Sequence, residues 1–383
     1  MSVEIRLPGA DHPLRLAEAP SWDIELSPAR SRVAFAAAHV VADPTRVPPG
    51  AGLALDWEAT LAFRRYLWGL GLGVADAMDT AQRGMGLDWP STRELIVRSG
   101  AEARAVGGRL ACGAGTDQLV EGAASLAGVV EAYSEQVEVV ETAGAQVVVM
   151  ASRALAATAR GPDDYHAVYS SVLGQVRDPV ILHWLGPMFD PALTGYWGSP
   201  DLDVATESLL SLIAAHAHVV DGVKVSLLDA EREIAIRRAL PEGVRLYTGD
   251  DFHYPELIRG DEHGSSDALL GIFDAIAPAA AAALAALDRG DTATYDAVLA
   301  PTVPLARHIF AAPTYHYKTG IVFLAWLNGH QDHFALLGGL EQARSVEHLV
   351  ELFRLADAAR MLLDPELAAS RLRAYLDQVG VAA

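Results

Sequence analysis

The segment VVDGVKVSLLDAE, Val219–Glu231, decides how this 383-residue chain is interpreted. Its apolar run is typical of a buried strand, yet it carries one lysine, Lys224, at its centre. Because side chains alternate across a strand, Gly222, Lys224 and Ser226 share one face, and the two valines beside the lysine share the other. The valines suit contacts with helices, so we expect Lys224 to point into the interior of a closed sheet.

Apolar segments of the same kind recur along the chain and alternate with longer helical patterns. The strand candidates are RVAFAAAHV (from Arg32), GVADAM (from Gly73), RLACG (from Arg109), AQVVVM (from Ala145), PVILHW (from Pro179), DGVKVS (from Asp221), VRLYT (from Val244) and SDALLG (from Ser266). Eight strands that are apolar on both faces, each followed by a helix, predict a (βα)8 TIM barrel of the α/β class. An open doubly wound sheet is the alternative, but no G-x-G-x-x-G follows the first strand.

Helix boundaries are also visible between the strands. The clearest helical segments are DWEATLAFRRYLWGL (from Asp56), PSTRELIVRSGAEARAV (from Pro90) and LVEGAASLAGVVEAYSEQVEVVETAG (from Leu119). Ser91 three residues before Glu94 predicts a capping box in the second segment, and Gly144 predicts the end of the third. Beyond about Arg289 the pattern is helical only, so we expect a lead-in over residues 1–30, a catalytic barrel over 31–289 and a helical C-terminal extension over 290–383.

Composition and charge exclude several classes of protein. Apolar residues make up 51% and charged residues 20% of the chain, which is an ordinary globular composition. The formal net charge of -20 argues against a nucleic-acid partner, because such binding depends on clustered Lys and Arg. Cys112, as the one cysteine, excludes an intrachain disulfide. No leader sequence is visible, and the most apolar run, Ala275–Leu287, is shorter than the roughly 20 residues of a membrane span. We therefore expect a cytoplasmic protein without a membrane partner.

Two roles for Lys224 are compatible with the strand pattern alone. An ammonium inside a barrel is costly unless it is paired, and burial lowers its pKa toward the range in which a neutral amine attacks a carbonyl group. Lys224 is then a candidate for Schiff-base formation. Alternatively, it forms a structural ion pair with an acid on a neighbouring strand, such as Asp250 or Asp79.

Several motifs, in collinear order, resemble one family. They are LDWPSTRELI (Leu87–Ile96), the segment Gly107–Met150 with Gly113 and Gly115 in a Gly-x-Gly turn, GVKVSLLD (Gly222–Asp229), the segment Tyr247–Pro278, and YHYKTGIVFLAWLNG (Tyr315–Gly329) with Lys318. The chain from about Arg32 to Gly339 thereby resembles the dihydrodipicolinate synthase and N-acetylneuraminate lyase family. The resemblance implies a (βα)8 barrel and a class I lyase, of aldolase or dehydratase type, in which Lys224 forms an imine with a 2-oxo acid or keto-sugar-like substrate. It implies no cofactor.

The resemblance also implies substrate-binding positions, with departures. The family's Gly-Thr-Thr-Gly-Glu loop after the second strand is replaced by DTAQRG, residues 79–84, in which only Thr80 matches. We expect Thr80 to contact a substrate carboxylate. Arg83 either supplies a bidentate clamp or is only a surface charge on this loop. The turn at Gly113 and the Gly249-Asp250 pair are the remaining expected binding positions.

The family's relay tyrosine at the end of the fifth strand is replaced by His183. Imidazole performs general acid and base catalysis, and its ordinary pKa lies near neutrality. We therefore predict His183 as the proton relay, with Tyr196 in the long loop after the fifth strand as a weaker candidate.

Two other functions stay open. His39, His183 and His253 all follow strand ends on one rim, and they could bind a divalent metal in a barrel lyase or isomerase, although no local ligand motif supports this. A non-enzymatic ligand-binding barrel is the second. The expected partners are a small-molecule keto substrate and, by resemblance, further copies of the chain in a homo-oligomer that forms through the apolar C-terminal helices.

Overall fold

Eight parallel strands close into a barrel, as the strand count predicts. The computed structural model describes residues 3–19, 21–46, 54–119 and 124–381. The barrel strands are β1 (Ala34–Ala37), β2 (Gly73–Asp76), β3 (Leu110–Ala114), β4 (Gln146–Val149), β5 (Val180–Leu185), β6 (Val220–Ser226), β7 (Arg245–Thr248) and β8 (Asp267–Leu270). Each strand pairs with the next, and β8 pairs with β1 to complete the ring. The TIM barrel prediction is confirmed.

Side chains divide between the inside and the outside of the barrel as strand alternation requires. Val223 and Val225 belong to the large core between the sheet and its helices. A separate core fills the barrel and includes Phe35, Val148 and Tyr247. In the sheet register, Lys224 lies between His183 on β5 and Tyr247 on β7. Lys224 therefore lies in the interior of the barrel, near the carboxyl end of β6.

Helices connect the strands and cover the outside of the sheet. Those before the last strand are α1 (Trp57–Gly69), α2 (Trp89–Val106), α3 (Leu126–Thr142), α4 (Arg153–Thr158), α5 (Pro162–Leu173), α6 (Leu202–Ala215), α7 (Ala230–Ala239) and α8 (Tyr254–Arg259). Those after it are α9 (Ile272–Ala275), α10 (Ala277–Asp288), α11 (Thr292–Leu299), α12 (Thr302–Ile309), α13 (Tyr317–Leu327), α14 (Val346–Ala358) and α15 (Pro365–Gln378). The C-terminal part is helical, as predicted. Within the described ranges, no helix has both the length and the apolar character needed to cross a membrane.

Two helix starts differ from the sequence predictions. Helix α2 is capped by Asp88, which accepts a hydrogen bond from the Ser91 backbone N–H, so the capping box predicted at Ser91 does not form. Helix α3 begins at Leu126 after a Ser125 cap, and not at Leu119. Residues 120–123 of that predicted helix lie outside the described residues. The side-chain oxygen of Asp88 caps α2 three residues before Ser91, and that of Ser125 caps α3 six residues after Leu119. Each accepts a hydrogen bond from a backbone N–H group of the first helical turn.

Shorter elements complete the chain. Two-stranded antiparallel ribbons pair Glu4–Ile5 with Leu14–Arg15 and Ala42–Asp43 with Ala54–Leu55. Turns of 3-10 helix span Asp79–Ala81, Pro191–Leu193, Tyr196–Gly198, Thr314–His316 and Leu337–Gln342. The first ribbon is attached to the last helix, because Arg373 donates to the carbonyl oxygen of Glu4 at 2.7 Å.

Helix α13 packs in the middle of the C-terminal helices and against the barrel. Every one of its residues is buried. Its N-terminus lies at the carboxyl ends of the barrel strands, where Tyr317 and Lys318 line cavities together with residues of β5 and β6. The C-terminal extension therefore contributes directly to the mouth of the barrel.

Candidate active site

The side chain of Lys224 lies in a small closed chamber inside the barrel mouth. Only 7% of the residue is exposed. The chamber is lined by Ala37, Met78, Asp79, Thr80, Leu185, Phe189, Lys224, Ser226, Asp251, Gly271 and Tyr317. Its volume is about 10 Å³, which is enough for a single water molecule. A substrate could reach the amine only if one of the lining side chains moved.

Gly249 makes room for the lysine side chain. A Cβ at this position would collide with the Ser226 hydroxyl and would lie 2.9 Å from Lys224 Cε. Gly249 follows β7 directly, so its backbone passes beside the interior face of β6. Gly249 therefore lies beside Lys224, and the absence of a side chain there makes room for the lysine.

The predicted ion pair of Lys224 does not form at salt-bridge distance. In the part of the chain that the structure describes, its ammonium makes no hydrogen bond and no carboxylate lies within 4.0 Å of it, although Asp79 lines the same chamber. Asp250 is occupied, because it accepts hydrogen bonds from the backbone N–H groups of Phe252 and His253 and lies 2.9 Å from the His253 ring. Asp250 stabilises the turn after β7 and is not directed at the lysine.

Burial dominates the electrostatics of the chamber. Desolvation lowers the pKa of Lys224, and the more distant carboxylates of Asp79 and Asp251 oppose that shift. Burial likewise raises the pKa of Asp251, whose carboxylate accepts a hydrogen bond from the Ile272 backbone N–H at 2.8 Å. A lysine with a lowered pKa beside a carboxyl group with a raised pKa is a pair that exchanges a proton readily. Burial therefore shifts Lys224 toward its neutral form and Asp251 toward its protonated form.

The turn after β2 carries two of the chamber residues and is firmly held. Asp79 and Thr80 lie in a 3-10 turn flanked by non-glycine residues with left-handed backbone, Ala77 (φ 53°) and Gln82 (φ 62°). Such backbone persists only where the surroundings enforce it. Gln82 provides part of that support, because its side-chain amide accepts from and donates to the backbone of Leu337 in the C-terminal segment.

Beneath this turn lies a buried ion pair. Arg64 of α1 donates to both carboxylate oxygens of Asp76 at the end of β2, at 2.8 and 3.0 Å. The Ser99 hydroxyl and the Ala77 backbone N–H donate to the same carboxylate. This network fixes the end of β2 and the start of the turn that follows it.

Thr80 lies where the sequence predicted it, in the chamber. Its hydroxyl is 2.9 Å from the phenol oxygen of Tyr317. Burial raises the pKa of Tyr317 well above its usual range, so the phenol stays protonated and can donate a hydrogen bond. Sequence reasoning did not identify Tyr317, because nothing in its local pattern distinguishes it from a packing tyrosine of α13.

Arg83 lies near the site, but its donors are already used. All five of its N–H groups have protein acceptors: the Asp117 carboxylate, the Gln136 side chain, and the carbonyl oxygens of Ala77 and Gly113. The guanidinium therefore connects the turns after β2 and β3. In this geometry Arg83 has no free N–H groups with which to form the predicted bidentate clamp. Gly113 takes part through that carbonyl, and its tight packing against Met150 excludes a side chain.

The environment of His183 also differs from the expectation. Its imidazole is fully buried, and its Nε2 lies 3.2 Å from the Ser226 hydroxyl. Its Nδ1 has no hydrogen-bond partner among the described residues. Burial, followed by the nearby charge of Lys224, lowers its pKa well below the usual value, so the ring is neutral at pH 7. His183 therefore lacks the near-neutral pKa that suits a proton relay at pH 7.

The second relay candidate, Tyr196, lines neither cavity. The Tyr196 hydroxyl accepts from the Ser152 backbone N–H at 2.9 Å and lies 2.9 Å from the Tyr169 hydroxyl. It packs in an aromatic cluster with Tyr165 and Trp197. The phenol in the chamber is that of Tyr317 and not that of Tyr196.

The three histidines of the alternative metal site do not converge. His39 lies 2.8 Å from a carboxylate oxygen of Asp274, and His253 pairs with Asp250. His183 faces Ser226. Across the described ranges, no group of three His, Cys, Asp or Glu side chains could hold a metal ion. The metal alternative therefore lacks a ligand set.

A much larger cavity opens beside the chamber. Its volume is about 520 Å³, and it shares Asp79, Leu185 and Phe189 with the chamber. The remaining wall comes from residues 83–85 after β2, among them Arg83, from the segments after β3 and β4, from the loop after β5, and from Lys318 of α13. The two cavities therefore share part of their walls at the barrel mouth.

Fold and site together define a (βα)8 barrel with a buried lysine near the carboxyl end of its sixth strand. The chain belongs to the family described as "Protein of unknown function (DUF993)", whose family model matches residues 5–381. No curated protein matches the chain in sequence.

Solved structures give the fold comparison. Dihydrodipicolinate synthase from Thermotoga maritima is 16% identical, with a TM-score of 0.66 over 86% of this chain and 99% of that chain. The enzyme of the same name from Aquifex aeolicus is 14% identical, with a TM-score of 0.65 over 87% and 99%. The 4-hydroxy-tetrahydrodipicolinate synthase from Methylacidiphilum fumariolicum SolV is 13% identical, with a TM-score of 0.65 over 89% and 99%. The fold therefore confirms the resemblance of the sequence to this family.

Proposed function

We propose that the protein is a class I lyase in which Lys224 forms an imine with a small keto compound. The observation that carries the proposal is the position of the amine: buried inside the barrel mouth, without an ion-pair partner among the described residues, in a chamber that also holds proton-transferring groups. An imine cation placed beside the reacting carbon acts as an electron sink, so the chemistry requires only side chains.

The chamber contains the groups that such a reaction needs. The neutral Lys224 amine attacks the carbonyl carbon, the oxygen takes up a proton, and water leaves as the C=N bond forms. Asp251 is suited to exchange protons with the amine, because burial lowers the pKa of Lys224 and raises that of Asp251. The Thr80–Tyr317 pair can donate a hydrogen bond to an oxygen of the substrate. In this scheme His183 is a neutral hydrogen-bonding partner of Ser226.

The two cavities suggest how the substrate is accommodated. The chamber fits one water, whereas the adjoining cavity of about 520 Å³ fits a molecule of the size of a keto sugar or a substituted 2-oxo acid. We propose that the carbonyl end passes Phe189 to reach Lys224 while the remainder stays in the larger cavity. The structurally similar proteins are named as synthases of a dicarboxylic product, which agrees with a lyase but does not define the substrate here.

Borohydride reduction in the presence of 2-oxo acids and keto sugars tests the proposal. An imine at Lys224 is reduced to a stable secondary amine, which intact-mass and peptide analysis locate. The matched control is Lys224→Arg, which keeps the positive charge but has no nucleophilic amine at neutral pH. Absence of an adduct on Lys224 with every compound would refute the proposed function. Adduct formation without turnover would favour the alternative of a non-enzymatic binding barrel.

The division into a lead-in (1–30), a barrel (31–289) and an extension (290–383) stays a proposal, as do the cytoplasmic location and the homo-oligomer. All of α13 is buried within the chain, so any oligomer contact through the C-terminal helices would involve the other helices. Larger exposed apolar side chains of the described residues lie elsewhere, such as Val97 and Val106 on α2.

A further inference from the structure

The chain uses lysine at two positions only. Of its 29 basic residues, Lys224 and Lys318 are lysines and the other 27 are arginines. Both lysines are buried, with 7% and 3% of their surface exposed, and they line adjoining cavities at the barrel mouth. Arginine stays protonated in proteins, whereas a buried lysine can become a neutral amine. Both lysines of the chain thus line the cavities of the proposed site.

Lys318 has few partners for a buried cation. Its ammonium donates one hydrogen bond, to the carbonyl oxygen of Tyr315 at 3.2 Å, and lies 4.5 Å from the ring centre of Tyr317. Among the described residues no carboxylate comes within 4.0 Å of it. Two of its N–H groups therefore remain without protein acceptors in that part of the chain, at the wall of the cavity of about 520 Å³.

The charges around Lys318 leave the amine partly neutral. Burial lowers its pKa to about 8; the carboxylates of Asp79 and Asp190 oppose this shift, and the guanidinium of Arg153 adds to it. The phenol of Tyr317 is uncharged because burial raises its pKa. At pH 7 about a tenth of the amine is neutral, against fewer than about one in a thousand for an exposed lysine. Lys318 therefore combines exposure to the larger cavity with a partly neutral amine.

We propose that Lys318 is a second imine-forming amine, which binds the carbonyl group of an aldehyde in the larger cavity. Its nitrogen forms a bond to the carbonyl carbon while the C=O electron pair moves to oxygen, which takes up a proton. The resulting carbinolamine loses water as the nitrogen lone pair forms the C=N bond. Amine and aldehyde thus give imine and water, with no oxidant or reductant. An aldehyde is the favoured class because it is the less hindered carbonyl and forms imines more readily than a ketone.

Lys318 would then hold a second reactant next to the first. The shared wall of Asp79, Leu185 and Phe189 places the two cavities side by side, so a keto compound on Lys224 and an aldehyde on Lys318 would be neighbours. This pairing rests on the proposed function of Lys224, whereas imine formation at Lys318 does not. Asp79 lines both cavities, so its carboxylate faces the space that the two reactants would share.

Reductive trapping with DL-glyceraldehyde tests the inference. The full chain is incubated at pH 7 with the aldehyde and cyanoborohydride, together with Nα-acetyllysine as an internal standard, and is then mapped by peptide mass. Because the chain has two lysines, each side-chain adduct is assigned without ambiguity. We expect Lys318 to be modified at least tenfold faster than the standard, both in the native chain and in Lys224→Arg. We expect no side-chain adduct at this position in Lys318→Arg.

The outcomes separate the two proposals. If Lys318 stays unmodified while the standard reacts, the inference is overturned, whatever happens at Lys224. An adduct on Lys318 together with no imine on Lys224 from any keto compound would support the inference and refute the proposed function. Modification of Lys318 at the rate of the standard also overturns it, since the buried amine would then have no enhanced reactivity. Thermal unfolding of both arginine variants verifies that they fold.

Discussion

Gly249→Ala tests whether the chamber around Lys224 is the reaction site. The added methyl group would lie 2.9 Å from Lys224 Cε, about 0.5 Å inside ordinary van der Waals contact at 3.4 Å, and would collide with the Ser226 hydroxyl. Gly249 does not have left-handed backbone, so the substitution adds a steric conflict without backbone strain. The backbone carbonyl oxygen of Val225 would lie 2.8 Å away as well, so all three neighbours must shift to relieve the overlap.

The expected effects follow from that displacement. Insertion of a methyl group into a filled interior costs about 1–3 kcal/mol of unfolding free energy. A reacting group displaced by a substantial fraction of 1 Å loses up to about 10²-fold in rate. We therefore expect borohydride trapping at Lys224 to slow by about 10- to 100-fold in Gly249→Ala. Urea unfolding should show a loss of about 1–3 kcal/mol.

The matched control is Gly69→Ala at the end of α1. No atom of another residue lies within 4 Å of a Cβ built there, and the position is helical. This variant should trap at the native rate and should unfold at the same or a slightly higher urea concentration. If Gly249→Ala traps keto compounds as fast as the native chain does, the amine does not react inside this chamber and the proposed geometry is wrong.

Three further predictions concern other parts of the site. Phe189→Leu should widen the passage between the two cavities. The rate of borohydride trapping at Lys224 should then rise several-fold more for keto sugars than for pyruvate. An equal rise in rate for both compounds would contradict the proposed route. The pKa of Lys318, lowered to about 8 by burial, means that the unfolded chain binds more protons between about pH 8 and 10.5. The free energy of unfolding, measured by urea titration, should therefore rise with pH across this window. The rise should be on the order of 3 kcal/mol larger in the native chain than in Lys318→Met. Arg64→Met should cost about 3–5 kcal/mol because it leaves the Asp76 carboxylate buried and unpaired, and Asp76→Asn in the same chain should restore part of that loss.

The sequence by itself determined the barrel and the position of Lys224. Eight strand segments with their intervening helices are local patterns, and parallel strands in that order close in one way. Strand alternation then placed Lys224 inside, because its parity relative to the neighbouring valines does not depend on distant contacts. Helix starts were less predictable, since Asp88 and Ser125 compete with nearby residues as caps and only the packed structure selects among them.

Tertiary structure alone decided what surrounds the lysine. Tyr317 and Lys318 reach the site from α13, which is far from β6 in sequence, and an apolar helix gives no local signal of which residue faces a cavity. Arg83 was predicted as a substrate clamp, but its five donors are consumed by acceptors from three other segments. His183 was predicted to titrate near neutrality, but full burial beside Lys224 keeps it neutral. Hydrogen-bond saturation and desolvation depend on all neighbours in space, so residue type and spacing could identify the buried lysine but not the groups that surround it.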